Sequence, residues 1–260
     1  MPVFYDQLNR PVNISSTPKR IISVVPSQTE LLFDLGLDTE ITGITKFCIH
    51  PAQKVKTITK VGGTKQLNIE LIKILQPDLI IANKEENEQQ QIEKLAELFP
   101  VWVSDINDLG SAIDMIGRLG VITHREIASK ELISQITEQF DALPSQSLLL
   151  KAVYLIWRNP YMAAGQQTYI DAMLRYCGLT NAIFMGRYPE LNIDELKAAA
   201  PQVVLLSSEP YLFRDKHIAE IKDILPDAKV LLVDGEMFSW YGSRLMHVPA
   251  YFTRLHGMLV

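Results

Sequence analysis

One segment of this 260-residue chain occurs twice, and this repeat constrains the fold more than any other feature. Residues 67–70 read Leu-Asn-Ile-Glu, and residues 191–194 read Leu-Asn-Ile-Asp, 124 positions further on. In both copies a lysine follows the acid by three residues, a proline follows the lysine by four, and an apolar run comes next. A repeat near half the chain length predicts two similar lobes, and ligands commonly bind in the cleft between such lobes.

The composition is that of a globular protein, with 47% hydrophobic and 21% charged residues. The net charge of −5 and the absence of a basic surface interleaved with aromatics predict no nucleic-acid partner. No apolar run is long enough to span a bilayer. Residues 1–20 contain no apolar leader segment, which predicts either a cytoplasmic protein or a chain whose leader is not part of this sequence.

Short β-branched runs alternate with helix signals along both halves of the chain. The predicted strands are 21–25, 41–44, 79–82, 101–103, 153–157, 203–207 and 230–233. The predicted helix caps are Ser27 with Glu30, Asn68, Thr123 with Glu126, and Thr168 with Asp171. Gly36 and Gly178 are the predicted helix stops. Strands that alternate with helices in this way predict parallel sheets covered by helices on both faces.

Between the two alternating regions only helical spacing remains, with predicted helices near 111–120 and 124–142. We therefore expect an N-terminal α/β lobe over 1–104, a helical linker over 105–146 and a C-terminal α/β lobe over 147–260. The predicted fold class is α/β, with two Rossmann-like lobes that contain central parallel sheets, are joined by a long helical linker and enclose a ligand cleft.

Ligands of open parallel sheets bind beyond the carboxyl ends of the strands. Aromatic residues and arginine are frequent at the predicted strand ends of the second lobe, and they stack on planar groups and bind carboxylates. The alternative for each aromatic is packing within the core. Arg158 is the sharpest candidate, because a charge directly after a buried strand must find a partner or face an opening. The predicted ligand-binding residues are His50, Thr64, Lys65, Trp157, Arg158, Tyr161, Tyr188, Trp240 and Tyr241.

The sequence offers little for catalysis or for a resident metal. Of the five histidines, only His50 lies in a predicted strand-end loop, so three or four ligands for a zinc-like ion cannot be assembled. Cys48 and Cys177 lie far apart, which predicts free thiols. There is no dinucleotide fingerprint, phosphate loop or nucleophile elbow. We therefore expect a protein that is not an enzyme and has no cofactor and no metal site of its own.

The repeated acids, Glu70 and Asp194, each fall in the first turn of a predicted helix. A carboxylate at that position stabilises the helix through its dipole, which is one interpretation. The other interpretation starts from their occurrence once per lobe. A matched pair of acids on the rims of two lobes suits docking to a partner that is itself twofold symmetric.

The motifs that carry a family resemblance run along nearly the whole chain. They are Arg20 to Ser27 with Thr29-Glu30, Val61-Gly62-Gly63-Thr64, Asn68-Ile69-Glu70, Pro77-Asp78-Leu79, Cys177-Gly178-Leu179 with Asn181, and Pro201-Gln202. In these residues the chain resembles the helical-backbone periplasmic binding proteins of ABC importers, the group that carries ferric siderophores, haem and cobalamin. The resemblance implies two Rossmann-like lobes joined by a long helix, with ligand capture between the lobes.

In the family one acidic residue per lobe pairs with arginines of the permease dimer. The resemblance places Glu70 and Asp194 in those positions, with Glu195 as a possible substitute for Asp194. The expected function is therefore that of a monomeric solute-binding protein, which captures a metal chelate and delivers it to an ABC permease dimer. The chelate would be a ferric siderophore, haem or a cobalamin-like corrinoid, and its iron or cobalt would belong to the ligand.

The resemblance implies the periplasm or cell envelope as the location, and the lack of a leader leaves the cytoplasm open. Two alternatives remain on the same scaffold. One is an enzyme that handles a metal or a tetrapyrrole, and the other is a cytosolic ligand sensor.

Overall fold

The computed structural model describes residues 3–143 and 149–259, which form two compact units. Unit 1 comprises the described residues up to Ile106 together with Gly110–Gln135 and Tyr241–Arg244, and unit 2 comprises the remaining described residues. The predicted lobe boundaries at 104/105 and 146/147 stay a prediction, and the second of them lies outside the described residues.

Unit 1 is built on a parallel five-stranded sheet with the order β5-β4-β3-β6-β7. A separate antiparallel pair, β1 with β2, precedes it. The elements are β1 (Val3–Tyr5), β2 (Pro11–Asn13), β3 (Ile21–Ser23), α1 (Pro26–Asp34), β4 (Ile41–Ile44), β5 (Thr59–Lys60), α2 (Ile69–Leu75), β6 (Leu79–Asn83), α3 (Gln89–Ala96), β7 (Val101–Ser104), α4 (Leu109–Ile122) and α5 (Glu126–Asp141). The first residue of α4 and the part of α5 from Ile136 onward belong to unit 2.

Unit 2 is built on a six-stranded mixed sheet with the order β11-β9-β8-β12-β13, in which β10 also pairs with β8. Strands β8, β10, β12 and β13 are parallel, whereas β9 is antiparallel to β8 and β11 is antiparallel to β9. The elements are β8 (Lys151–Trp157), β9 (Tyr161–Ala163), α6 (Tyr169–Tyr176), β10 (Thr180–Asn181), β11 (Glu190–Leu191), α7 (Ile193–Ala198), β12 (Val203–Ser207), α8 (Asp215–Ile224), β13 (Lys229–Val233), α9 (Glu236–Ser239) and α10 (Val248–Leu259). A 3-10 helix (Ser243–Met246) has its first two residues in unit 1 and its last two in unit 2.

The predicted α/β class with parallel sheets in two lobes is confirmed. The helices predicted near 111–120 and 124–142 are α4 and α5, and each predicted strand matches an observed one. The sequence did not indicate the antiparallel strands of unit 2. The chain turns back after β8 at Asn159, which has a positive φ of 63°, a conformation that asparagine tolerates better than most residues.

The repeated segment forms the same structure in both units. Asn68 accepts a hydrogen bond from Leu71 N at 3.0 Å at the start of α2, and Asn192 accepts one from Glu195 N at 2.9 Å at the start of α7. The predicted cap at Asn68 is therefore confirmed. In both copies the residue before the proline also has a positive φ, which is 46° at Gln76 and 44° at Ala200.

The predicted stops at Gly36 and Gly178 are also confirmed. Their φ values of 79° and 78° lie in the region that favours glycine. After α1 the amide of Leu37 donates to Leu32 O at 3.0 Å, and after α6 that of Leu179 donates to Leu174 O at 2.9 Å. These bonds satisfy carbonyls that a helix end otherwise leaves without partners.

Two of the predicted caps are wrong. Helix α1 begins one residue before Ser27, because Pro26 has a fixed φ and no N–H to satisfy and therefore suits the first helical position. The N-cap is Val25, without a side-chain bond. The Thr123 hydroxyl donates to Leu119 O at 2.7 Å and so bonds back into α4. The cap at Thr168 is confirmed, since its Oγ1 accepts from Asp171 N at 3.1 Å.

The central strands carry the two cores. Every residue of β6 and of β12 is buried, and both strands are packed on a parallel neighbour at each side. Because these side chains have no contact with water, polar chemistry is confined to the loops at the strand ends. Within the described chain, every helix is too short or too polar to cross a bilayer.

Ala200 gives a direct test of the repeated helix end. It is exposed and has a φ of 44°, which costs an L-residue about 1–2 kcal/mol. We therefore expect Ala200→Gly to stabilise unit 2 by about 1 kcal/mol, measured by urea denaturation. Ala199 has an ordinary helical φ of −63°, so the control Ala199→Gly should instead destabilise the unit by about 0.5–1 kcal/mol. Destabilisation by both substitutions would contradict this account of the helix end.

Candidate ligand-binding site

In unit 1 the loops after β3, β5 and β6 are tied together by one buried side chain, Asn87. Its Oδ1 accepts from Asn83 N at 2.8 Å, and its Nδ2 lies 3.1 Å from both Val24 O and Thr64 O. Lys65 links the loops after β5 and β6 a second time, because its Nζ donates to Glu85 O at 2.5 Å. Thr64 and Lys65 are therefore held at the carboxyl edge of the sheet, as predicted for strand-end residues.

The loop after β4 presents apolar side chains beside His50. Phe47 and Ile49 are each 50% exposed, while Cys48 between them is buried. The Phe47 ring lies against Gly63, where an added Cβ would come within 3.1 Å of it. Lys46 Nζ stands 5.1 Å from the centroid of the same ring. Half-buried His50 thus follows a small exposed apolar surface, a suitable support for a flat ligand.

Cys48 anchors this loop and has no features of a nucleophile. Its Sγ lies 3.1 Å from Thr29 Oγ1 and 3.2 Å from Thr45 Oγ1, inside the unit. Burial raises the pKa of the Cys48 thiol above its usual value, so the reactive thiolate is disfavoured.

In unit 2, Trp157 ends the central strand β8 and is 40% exposed. Its ring meets Tyr211 edge-on at 5.6 Å, and Tyr211 packs on His217 at 5.5 Å. His217 Nδ1 accepts from Arg214 N at 2.8 Å, so the ring proton belongs on Nε2, which lies 3.2 Å from the Tyr211 hydroxyl. Burial lowers the pKa of His217, which agrees with a neutral ring. Trp157 is thus a partly exposed aromatic surface with a fixed support.

Arg158 follows Trp157 and forms an ion pair with Glu220. Its Nε lies 2.9 Å from each carboxylate oxygen of Glu220 on α8, and the Tyr161 hydroxyl donates to the same carboxylate. Burial alone would raise the pKa of Glu220, but the bonds from Arg158 and Tyr161 outweigh it and hold that pKa below its usual value. For Tyr161, burial and the neighbouring carboxylate raise the pKa to about 12. Two of the predicted ligand residues, Arg158 and Tyr161, therefore bond to the same carboxylate.

Trp240 meets a second acid of unit 2, Glu209, which follows β12. Glu209 Oε1 accepts from Trp240 Nε1 at 2.9 Å and lies 2.6 Å from Ser239 Oγ. Burial raises the pKa of Glu209 above its usual value, despite the two hydrogen bonds that lower it. Trp240 itself is only 6% exposed, so it is a buried support rather than an exposed surface.

The remaining predicted ligand residues divide between the units. Tyr241 is buried in unit 1, although the predicted lobes placed it in the C-terminal one, and its hydroxyl donates to Glu86 Oε1 at 2.5 Å. Tyr188 is half-buried just before β11. Unit 1 thus contributes His50, Thr64, Lys65 and Tyr241, and unit 2 contributes Trp157, Arg158, Tyr161, Tyr188 and Trp240. Their binding of a ligand, and the predicted cleft, stay predictions.

The three predicted docking acids differ in their bonding. Glu70, whose side chain is 77% exposed, pairs with Lys73 Nζ at 2.9 Å, and this partner lowers the Glu70 pKa. Asp194 is exposed in the first turn of α7. Glu195 is also exposed, but its Oε2 accepts from Asn192 N at 2.8 Å as half of a capping box. Of the two acids in α7, Asp194 is therefore the one not used to cap the helix.

In the part of the chain that the structure describes, neither a metal cluster nor either of two cavities involves these residues. Among the described residues, no group of three or more His, Cys, Asp or Glu side chains is placed to hold a metal ion. A cavity of about 590 Å³ lies in unit 1 between β1 and the helices α4 and α5, and another of about 410 Å³ lies beside β2 and β7. The residues that line these two cavities include none of the predicted ligand residues.

The set of predicted ligand-binding residues leaves out several side chains that organise the site. Phe47 is exposed on the β4 loop, and Glu209, Tyr211, His217 and Glu220 support the aromatic and arginine residues of unit 2. Phe47, Glu209 and Tyr211 follow predicted strands, which was the available signal. Glu220 gave no signal, because an acid within an amphipathic helix is ordinarily a solvated residue.

Both units have the α/β architecture, and both carry aromatic and charged side chains in the loops at the ends of their strands. A family model described as periplasmic binding protein matches residues 21–224, most of the chain. The chain therefore belongs to the periplasmic binding protein family and has a solute-binding role.

Individual relatives are more distant. A vitamin B12-binding protein of Vibrio campbellii is 25% identical over 214 residues, which cover 80% of this chain and 77% of that protein. The solved periplasmic vitamin B12-binding protein of Vibrio cholerae is similar in fold, with a TM-score of 0.79 at 20% identity over 94% of this chain and 98% of that one. A periplasmic haem-binding protein of Pseudomonas aeruginosa gives a TM-score of 0.78 at 21% identity over 92% of each chain. These structural likenesses show the shared fold.

Glu209 supplies a pH test of the site. Because burial raises its pKa in the folded unit, the folded state holds this proton more tightly than the unfolded state does. The resulting stability is present below the ordinary pKa of about 4.5 and is lost as pH rises through the raised pKa. We expect Glu209→Gln to gain stability relative to the wild type between pH 4 and pH 8, measured by urea denaturation. Glu190→Gln, at an exposed position, serves as the control that removes a carboxylate from the surface, and a flat difference for Glu209→Gln would contradict the burial effect.

Proposed function

We propose that this chain captures a metal chelate and delivers it to an ABC importer, with Glu70 and Asp194 as the docking carboxylates. The observation that carries the proposal is the matched placement of the two acids. Each is exposed, and each occupies the first turn of the helix that opens the repeated segment in its own unit. Membership of the periplasmic binding protein family supports the same function.

The proposed ligand is a ferric siderophore, haem or a cobalamin-like corrinoid. Two features of the separate units support a ligand with a large, partly planar surface. Unit 1 exposes Phe47 and Ile49 beside His50, and unit 2 exposes Trp157 beside Arg158. Aromatic faces stack on planar groups, and the guanidinium binds acidic ones. The relatives whose names state vitamin B12 or haem as ligand support the same range of candidates.

The proposed location is the periplasm or cell envelope, supported by the description of the family. A cytosolic sensor on the same fold is the alternative. Cell fractionation of the epitope-tagged protein, expressed from its own locus, separates the two, since the sensor would remain with cytosolic markers.

Ligand capture is tested by thermal unfolding of the purified chain with cyanocobalamin, hemin and ferrichrome. A ligand that binds the folded state alone stabilises it by about 2.7 kcal/mol at a hundredfold excess over its Kd. We expect one of the three to raise the melting temperature and to quench tryptophan fluorescence. If none shifts the melting temperature or changes the fluorescence, the proposed ligand class is wrong.

Docking is tested by charge reversal. We expect Glu70→Arg combined with Asp194→Arg to lower ligand uptake by at least tenfold, in cells whose own copy is replaced by the variant. Reversed charges would repel the arginines expected on the permease. Affinity of the purified variant for the ligand should stay unchanged, because both acids lie in exposed first turns of helices and neither is a proposed ligand residue.

The matched control reverses two other exposed acids, Glu131 in α5 and Glu190 in β11. This control has the same net charge as the docking variant and should support normal uptake. Equal losses of uptake in the two double variants would attribute the effect to overall charge and reject Glu70 and Asp194 as docking residues.

One observation favours an enzyme as the second candidate function. The raised pKa of Glu209 fits a general acid, which an enzyme for tetrapyrrole or metal handling would require. Against it, Oε1 of this carboxylate is already bonded to Trp240 and lies beside Ser239. Incubation with protoporphyrin and ferrous or cobaltous ions decides the question: metal insertion by the wild type that is lost in Glu209→Gln would support the enzyme.

A further inference from the structure

The bond between Arg158 and Glu220 has an unusual form for an arginine–carboxylate pair. Such pairs are frequently fork-to-fork, with two parallel N–H groups on two oxygens. Here a single nitrogen, Nε, lies 2.9 Å from both oxygens of Glu220. Within residues 3–143 and 149–259, the hydrogen bonds of Arg158 to Glu220 use Nε and not Nη1 or Nη2, while the guanidinium also acts on the Tyr161 hydroxyl and lowers the pKa of Tyr161. The Nη edge of the guanidinium therefore keeps N–H donors that Glu220 does not use.

Glu220 is satisfied by this arrangement without the Nη groups. Besides the bond from the Nε–H of Arg158, its carboxylate accepts a hydrogen bond from the hydroxyl of Tyr161, the first residue of β9. Arg158 and Tyr161 lie at the two ends of the turn between β8 and β9, whereas Glu220 lies on α8. The Glu220 carboxylate therefore bonds both ends of the turn to the helix. The Arg158 side chain is 29% exposed and that of Glu220 is 30% exposed, so solutes can reach the pair.

Trp157 precedes Arg158 in the chain, and its ring is held by Tyr211 at a centroid distance of 5.6 Å. A partly exposed indole and a set of N–H donors on successive residues suit a planar ligand that bears a carboxylate. The ring system would lie on Trp157, and the carboxylate would accept two N–H bonds from Nη1 and Nη2.

We propose that Glu220 is a positioning residue that orients Arg158 to bind a carboxylate of the ligand, so that the protein selects acidic metal chelates. The inference rests on the proposed function, and it narrows the ligand class to chelates with a free carboxylate. Arg158 makes the contact, and Glu220 acts through Arg158 and Tyr161.

A role of Glu220 as a simple counter-ion predicts the opposite sign for one substitution. If Glu220 only neutralised Arg158, then Glu220→Gln would remove one negative charge and leave the Arg158 charge uncompensated. Binding of an anionic ligand would then become tighter. If Glu220 orients the guanidinium, the same substitution frees the fork to rotate and weakens binding. The direction of the change therefore separates the two roles.

The test compares hemin with its dimethyl ester, which differs only in the two esterified carboxylates, and includes cyanocobalamin as a third probe. Affinities are measured for the wild type, Glu220→Gln and Arg158→Lys, the last of which keeps the charge but lacks the fork. We expect the wild type to prefer hemin over the ester by at least tenfold, and both variants to lose most of this preference. Circular dichroism and the melting temperature of each variant establish that it is folded.

A second readout needs no ligand. In ¹⁵N NMR spectra of arginine side chains, the Nε–H of Arg158, assigned by its loss in Arg158→Lys, should be protected from solvent exchange in the wild type. It should lose that protection in Glu220→Gln. An Nε–H that exchanges equally fast in the two proteins would reject the positioning role, whatever the ligand.

The remaining outcomes separate this inference from the proposed function. Tighter hemin binding by Glu220→Gln, or equal affinity of the wild type for hemin and its ester, overturns the inference. Binding of cyanocobalamin but not of hemin also overturns it and leaves the proposed function standing. Binding of none of the three probes, with ferrichrome inactive as well, rejects the proposed function and the inference together.

Discussion

Complete burial of the central strands is the constraint on which the rest of each unit depends. The side chains of β6 in unit 1 and of β12 in unit 2 are all buried, so none of them is exposed to a solute. The first polar groups at the carboxyl ends are Asn83 and Ser207, and they too are buried. A buried polar group without a partner costs about 1–3 kcal/mol, so these groups must bond to the loops that follow them.

Those bonds turn the strand ends into fixed points for the loops. In unit 1, Asn83 Nδ2 reaches Ser104 Oγ at 3.0 Å, and Asn87 bonds back to Asn83 and to Thr64. In unit 2, Ser207 Oγ accepts from the Tyr154 hydroxyl at 3.1 Å and lies 2.5 Å from Glu209 O. The same need for partners explains why Glu209, which follows Ser207, is hydrogen-bonded to Trp240. Loops held in this way present their outer side chains with little freedom, which lowers the entropy lost on ligand binding.

Residues with a single local determinant were predictable from the sequence. The stops at Gly36 and Gly178 depend on the left-handed region that glycine favours, and the cap at Asn68 depends on one side chain and one nearby amide. The predicted cap at Ser27 failed because a second local determinant, Pro26, took the first helical position. The partner of Arg158 was unpredictable for a different reason. Glu220 lies 62 positions away and becomes a neighbour only through the packing of α8 on the sheet of unit 2.

The repeated acids show how one sequence pattern supports different local bonding. In α2 the acid Glu70 pairs with Lys73, one turn further on, so part of its charge is neutralised within the helix. In α7 two acids follow the cap, and the helix uses Glu195 to bond the Asn192 amide. A helix start has a limited number of free amides, so a capping box occupies one carboxylate and leaves its neighbour Asp194 available for other contacts. Each unit thus retains one exposed acid at the same helical position, although the shorter aspartate extends less far from the helix than the glutamate does.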